Sequence, residues 1–213
     1  MSNSYTTALC EASNQYEEKK SVFYGFIKPI ETEEEAISFI QSVREKIPNA
    51  KHVCYAYVNR GGNVVRFSDD KEPQGTAGMP ILEVIRREGL TGVVIAVARY
   101  FGGILLGAGG LTRAYAKAAK LALDASGKTT FVLYKEALIT VDYSSFQKLK
   151  YELNIMNVNE YDTEYNENVS CKVLLDEEEI RKVQEKTNTI TSGKGTFKIT
   201  GERYAPKKIC QKP

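Results

Sequence analysis

The 213 residues carry 42% hydrophobic and 26% charged side chains, an ordinary globular composition that excludes a disordered chain. A formal net charge of +2 excludes a protein drawn to nucleic acid by its overall field, so basic groups that meet RNA must cluster locally. Four widely separated cysteines and a single histidine exclude a usual zinc site and a disulfide scaffold.

In chain order, residues 5–14 and 20–30 have the short apolar-aromatic character of strands. "TEEEAISFIQSVREKIP" opens a helix, with Thr32 and Glu35 at capping-box spacing and Pro48 preventing continuation. Ala36, Ile37, Ile40, Val43 and Ile47 recur at helical intervals and are expected inward. "HVCYAYVNRGGNVVRF" reads as a hairpin turning at Gly61-Gly62. A second helix is expected from near Pro80 to Gly89, burying Ile81, Leu82, Val84 and Ile85. "GVVIAVAR" is apolar without alternation, as in a strand covered on both faces. A glycine-rich loop follows, then a helix from about Leu111 to Ala125, stopped by Gly127.

From Thr130 the rhythm changes. "TFVLYKEALITVDY" is a strand, and "SSFQKLKYEL" a helix with Phe146, Leu149 and Leu153 on one face. "IMNVNEYDTEY" and "VSCKVLL" are strands joined around residues 166–168. "DEEEIRKVQEKT" is a helix capped by Asp176 and Glu179, and "KGTFKITGERY" a last strand. This β-α-β-β-α-β order is the split pattern of ferredoxin-like domains. The expected organisation is a first domain over 1–129, a ferredoxin-like domain over 130–204 and a mobile basic tail over 205–213. The amino terminus lacks the apolar centre of a signal peptide, and no apolar run approaches the ~20 residues of a membrane span. The expectation is a reduced, soluble, cytoplasmic protein with no membrane partner.

Residues 102–110 hold five glycines, Gly102, Gly103, Gly107, Gly109 and Gly110, between Arg99-Tyr100 and Arg113. Strand, glycines and helix start in succession make an anion cradle, because first-turn amides lack partners and the helix dipole favours negative charge there. Arg99 and Arg113 can supply bidentate phosphate contacts, and Lys117 and Lys120 extend a basic face along the helix. The alternative is a tight strand-to-helix turn with a solvated helix face. The loop is neither a Walker loop nor a dinucleotide fingerprint. Asp69, Asp70 and Glu72 form an acidic cluster that could bind magnesium or move protons, or could cap a helix and pair with arginine. His52 reads as a hydrogen-bonded structural residue. No catalytic residue, metal site or cofactor is assigned.

"AKHVCYAY", "SDDKEPQGTAGMPILEVI" and "VARYFGGILLGAGGLTRAYAKAA", in this order, resemble the IMPACT/YigZ family. "EEKKSVFYGFIKPI" resembles its first strands, and the second half its bacterial carboxy-terminal domain. The family's acidic block falls on Asp69, Asp70, Glu72, Pro73 and residues 75–78; its glycine block runs from Arg99 through the five glycines to Arg113 and Tyr115. Lys71 stands where the family usually has glycine, and Ala98 where it usually has threonine. The resemblance implies an α+β protein: an amino-terminal α/β domain like the second domain of a small-subunit ribosomal protein, then a ferredoxin-like domain resembling the last domain of elongation factor G. It implies a translation-related role, since eukaryotic relatives restrain a starvation-responsive kinase by binding its activator. Three functions stay open: a non-catalytic regulator binding RNA or ribosome-associated phosphate, an enzyme on a small phosphorylated metabolite using Asp70, Glu72 and the glycine loop, and a protein-interaction module in translational control. The oligomeric state is not readable from the sequence.

Overall fold

The computed structural model describes residues 3–158 and 160–207. The chain divides into two units, Met1–Phe131 and Val132–Pro213. The first contains strands β1 (Ser4–Ala8), β2 (Ala12–Glu18), β3 (Ser21–Pro29), β4 (His52–Val58), β5 (Val65–Ser68) and β6 (Val93–Tyr100), with helices α1 (Glu33–Lys46), α2 (Gly78–Arg87) and α3 (Gly107–Ser126). β2-β3-β6-β4-β5 form one sheet, and each pair is antiparallel.

β6 is central, and all its residues but Tyr100 are buried, which explains its unalternating sequence. Its even positions Val94, Ala96 and Ala98 join Ala36, Phe39, Ile40 and Val43 of α1. Its odd positions Val93, Ile95 and Val97 face Ile81, Leu82 and Ile85 of α2 and Leu111, Tyr115 and Leu123 of α3. Burying each such Ile or Leu contributes about 1.5–3 kcal/mol, so the two helix layers hold the sheet between them. The small side chains Ala114, Ala118 and Ala122 let α3 lie close to the sheet.

Thr32 accepts from the Glu35 amide at 3.3 Å, as its spacing predicts, while the Glu35 carboxylate reaches one residue further back, to the Glu31 amide. Several expectations need correction. The segment 5–14 is two strands, interrupted at residues 9–11. Ile37 is exposed and Phe39 takes its place in the core, because the buried stripe is rotated toward the i+3 position from Ala36. α3 starts at Gly107, four residues before the predicted Leu111, since three early glycines weaken the propensity that the sequence reading relied on.

The second unit contains β7 (Lys128–Val141, which starts in the first unit), α4 (Tyr143–Ile155), β8 (Glu160–Tyr165), β9 (Val169–Leu175), α5 (Glu177–Thr191) and β10 (Thr196–Pro206). The strand order β10-β7-β9-β8 is the ferredoxin-like arrangement that the βαββαβ order implies. Its core joins Ile139 and Val141 of β7, Leu149 and Leu153 of α4, Val173 of β9 and Val183 of α5. Both halves of the Asp176–Glu179 capping box are present. Ile155, assigned from sequence to β8, ends α4 instead. Of the expected 205–213 tail, Ala205 and Pro206 close β10, and 208–213 lie outside the described residues. Among the described residues no helix is long and apolar enough to cross a membrane.

Candidate functional site

The acidic loop after β5 is a structural knot. α2 begins at Gly78 behind Ala77, which has no side chain able to cap it. Asp69 does so from eight residues away: Oδ1 accepts from the Ala77 and Gly78 amides at 3.0 and 2.8 Å, and Oδ2 from Gly75 at 2.8 Å. Losing a cap costs about 0.5–2 kcal/mol, and each further orphaned buried amide about 1–3. Asp69→Ala is therefore expected to destabilise the first unit by about 2–3 kcal/mol in urea denaturation. A loss below about 0.5 kcal/mol would mean that water serves those amides equally well.

Asp70 Oδ2 accepts from the Val53 amide at 2.7 Å and from Arg44 Nη1 at 3.0 Å. Partial burial works against its charge, but the Arg44 guanidinium and the Val53 amide outweigh it and hold the carboxyl below its ordinary value. Lys71 stands at φ +70°, a conformation in which glycine is at ease and lysine is not.

Glu72 runs inward. Its Oε1 accepts from Arg99 Nη1 at 2.6 Å and from the Tyr115 hydroxyl at 2.8 Å, with both charged side chains buried. Arg99 Nη2 reaches Ser21 Oγ at 3.4 Å, and the guanidinium carbon lies 5.5 Å from the centres of the Phe23 and Phe101 rings. Its Nε has no partner and is sealed from solvent. Cys54 donates to the Asp69 carbonyl, and burial pushes its thiol up to about 12, so it is no nucleophile at neutral pH. Burial likewise raises the Tyr115 phenol, with the nearby Cys54 and Glu72 adding to the effect, which keeps it a neutral donor.

Above this knot lies a cavity of about 340 Å³. His52 and Arg99 are directly opposed across β4 and β6, and both line it. Lys51, Phe101, Leu105 and the first residues of α3 complete the walls. The His52 ring is over nine-tenths buried, and its Nδ1 is 2.7 Å from the Asp70 carbonyl. A carbonyl can only accept, so Nδ1 carries a proton and donates to it, which leaves Nε2 as the ring's remaining polar atom. Nε2 has no hydrogen-bond partner among the described residues, yet it is not among the sealed orphan atoms. α3 is 20 residues long, and no side chain caps its amino terminus. By helix counting, the amides of residues 106–109 are its orphan donors. A second cavity, about 260 Å³, lies on the other side of this terminus and is lined by Lys19, Gly110, Arg113 and Lys117.

Comparison with known proteins agrees with this architecture. Residues 19–123 match the Impact N-terminal domain, and residues 139–194 match a domain of unknown function, DUF1949. The IMPACT family member YvyE of Bacillus subtilis (strain 168) is 34% identical over 210 residues, spanning 98% of this chain and 97% of that protein. The chain belongs to the IMPACT family. The family member YigZ of Escherichia coli (strain K12) is 43% identical over 100 residues, 46% of this chain and 49% of that one. A crystal structure described as that of a hypothetical protein superposes with a TM-score of 0.61 at 28% identity, covering 94% of this chain and 98% of that one.

In this IMPACT family chain the structure gathers only part of the predicted site. Gly107 and Glu72 meet in the first cavity, and Gly110, Arg113 and Lys117 line the second. Arg113 is exposed and forms no ion pair among the described residues. Lys117 Nζ sits 4.3 Å from the centre of the Tyr16 ring.

Six of the expected site residues are engaged within the protein. Arg99 is held internally by Glu72, so its charge is already neutralised. Tyr100, one residue on, is on the opposite sheet face and packs edge-on against Tyr24. Lys120 is committed to Glu88 at 3.0 Å and Asp124 at 2.6 Å. Gly102 answers to close approach, but of protein: a Cβ there would lie 2.0 Å from the Lys20 main chain. Asp69 and Asp70 spend their oxygens on amides and Arg44 rather than facing a ligand. Gly103 and Gly107 adopt φ of +84° and +68°, as turns require, whereas a Cβ at Gly109 would meet open space. Sequence reasoning missed Lys19 and Lys51 as wall residues, whereas His52 is the hydrogen-bonded residue it expected and lines the first cavity as well. The available signal was parity, since His52 shares a sheet face with Cys54 and Ala56.

Proposed function

We propose that this protein is a non-catalytic, cytoplasmic, translation-related regulator that binds RNA phosphates, free or on the ribosome, at the amino terminus of α3. The observation carrying this reading is the uncapped end of a 20-residue helix between two cavities, with Lys51 and His52 on one side and Lys19, Arg113 and Lys117 on the other. Orphan amides and the helix dipole favour a phosphate there, and three cations beside Tyr16, against the single carboxylate of Glu18, suit a passing backbone. The exposed Phe101 and Leu105 add an apolar surface for bases. Kinship with proteins of translational control supports the process. The acids speak against magnesium chemistry on a metabolite, because Asp70 and Glu72 are bound to Arg44 and Arg99.

The test is binding of single-stranded RNA against salt. Arg113→Ala is expected to weaken binding and to flatten the log–log salt slope by roughly 0.7–1. Lys120→Ala, which removes an already paired charge, is expected to leave the slope within error. Unchanged affinity and slope in Arg113→Ala would overturn the assignment.

A further inference from the structure

We propose that the cavity beside His52 is a mononucleotide site, taking the phosphate monoester of a single nucleotide, either free or at the end of an RNA chain. The inference rests on the phosphate seat proposed above and adds what occupies the rest of the space. Water takes roughly 30 Å³ per molecule, so a phosphate group alone would leave most of the 340 Å³ unfilled. The volume lies at the lower end of the range for small-molecule sites, about 300–1,000 Å³. Its walls also divide by chemistry. The α3 amides, Lys51 and His52 offer groups for a phosphate, and the side chains of Phe101, Leu105, Leu106 and Leu111 offer apolar surface suited to a base. Phe101, Ile104 and Leu105 are all exposed on this one loop, a local apolar patch rather than a lone side chain.

The groups around His52 select the kind of phosphate. The His52 Nδ1 donates to the Asp70 carbonyl, which leaves Nε2 as the ring atom open to a phosphate oxygen. A monoester, with its second ionisation near pH 6, brings the α3 amides and Lys51 a further negative charge that an interior phosphodiester lacks. Glu72 also lines the cavity, but its charge is offset by Arg99 and by the Tyr115 donor, so the wall does not repel an anion.

The experiment is equilibrium binding to the full chain, using AMP, UMP, adenosine, inorganic phosphate, and RNA ten-mers with a 5′-phosphate or a 5′-hydroxyl. AMP is expected to bind at least ten times more tightly than adenosine or phosphate. His52→Gln is expected to cost at least fivefold. Leu105→Asp, at an exposed position where folding is not at risk, is expected to cost as much. Lys120→Ala, which removes a charge already paired with Glu88 and Asp124 and lines neither cavity, should leave AMP binding unchanged. Preference for the 5′-phosphorylated ten-mer would assign the site to RNA ends, and equal binding of the two ten-mers would assign it to free nucleotides. AMP binding no tighter than adenosine, or unaffected by both His52→Gln and Leu105→Asp, would overturn the proposal. Salt-dependent RNA binding that persists in that case would leave the phosphate-backbone reading standing. AMP binding without RNA binding would remove that reading alone.

Discussion

Glu72→Ala is expected to lower the stability of the first unit by about 3–5 kcal/mol, because it leaves the Arg99 guanidinium buried without its counter-charge. The loss reaches beyond one ion pair. Glu72 Oε1 also accepts from Tyr115, which lies at the centre of the α3 packing, so a second buried donor is orphaned with it. Arg99 already carries an unpartnered Nε, and it has few other acceptors to turn to. The measurement is native-state hydrogen exchange of the β6 amides under increasing urea, which isolates this unit from the other. A double replacement, Glu72→Met with Arg99→Met, removes both charges and should recover most of the loss, since a buried pair is often no better than apolar side chains of similar volume. A single-variant loss below 1 kcal/mol would show that water reaches the guanidinium, and the knot beneath the cavity would lose its structural meaning.

Gly102→Ala is expected to cost about 1–3 kcal/mol or more, and to disturb ligand binding without touching any ligand. The new Cβ would fall 2.0 Å from the carbonyl carbon and oxygen of Lys20 and 2.5 Å from the Ser21 nitrogen. These are main-chain atoms and cannot rotate away. The Gly102 amide donates to Ser21 Oγ at 3.2 Å, so the β2–β3 turn and the glycine loop move together. Lys19 sits in that turn and Arg113 in the helix after the loop, and both line the second cavity. Gly109→Ala supplies the contrast. Its Cβ enters open space within a helix, where alanine is favoured over glycine by about 1 kcal/mol, so stability should hold or rise. If phosphate sits on the α3 amides, Gly109→Ala nonetheless weakens AMP and RNA binding. The thermal unfolding temperature should therefore fall in Gly102→Ala and hold or rise in Gly109→Ala, while binding weakens in both. Equal stability of Gly102→Ala and wild type would contradict the close packing of loop against turn.

Much of the fold is legible in the chain because the deciding interactions are short in sequence. Asp176 and Glu179 cap α5 within three residues, and Thr32 accepts from Glu35 in the same way. The run in β6 reports burial on both faces because every side chain of a central strand is covered. The βαββαβ order implies its strand arrangement because few connections satisfy the packing rules. The candidate site is legible only in outline. The glycine loop does precede an uncapped helix, but two of its presumed contributors, Arg99 and Lys120, are paired within the protein, and a third, Tyr100, faces away from it.

From the order of residues alone follow the helices, the strand periods and the ferredoxin-like second half, but not the start of α3 among its glycines. Those rest on contacts spanning a few positions, where spacing is geometry. Which charges are free is a different matter. Arg99 meets Glu72 across 27 residues, and Asp69 caps α2 from the loop eight residues before its N-cap. His52 stands opposite Arg99 only because β4 and β6 pair in one register. A buried ion pair and a surface cation have the same letters in sequence. The tertiary fold separates them, because desolvation and the nearness of a counter-charge depend on distance in space rather than along the chain.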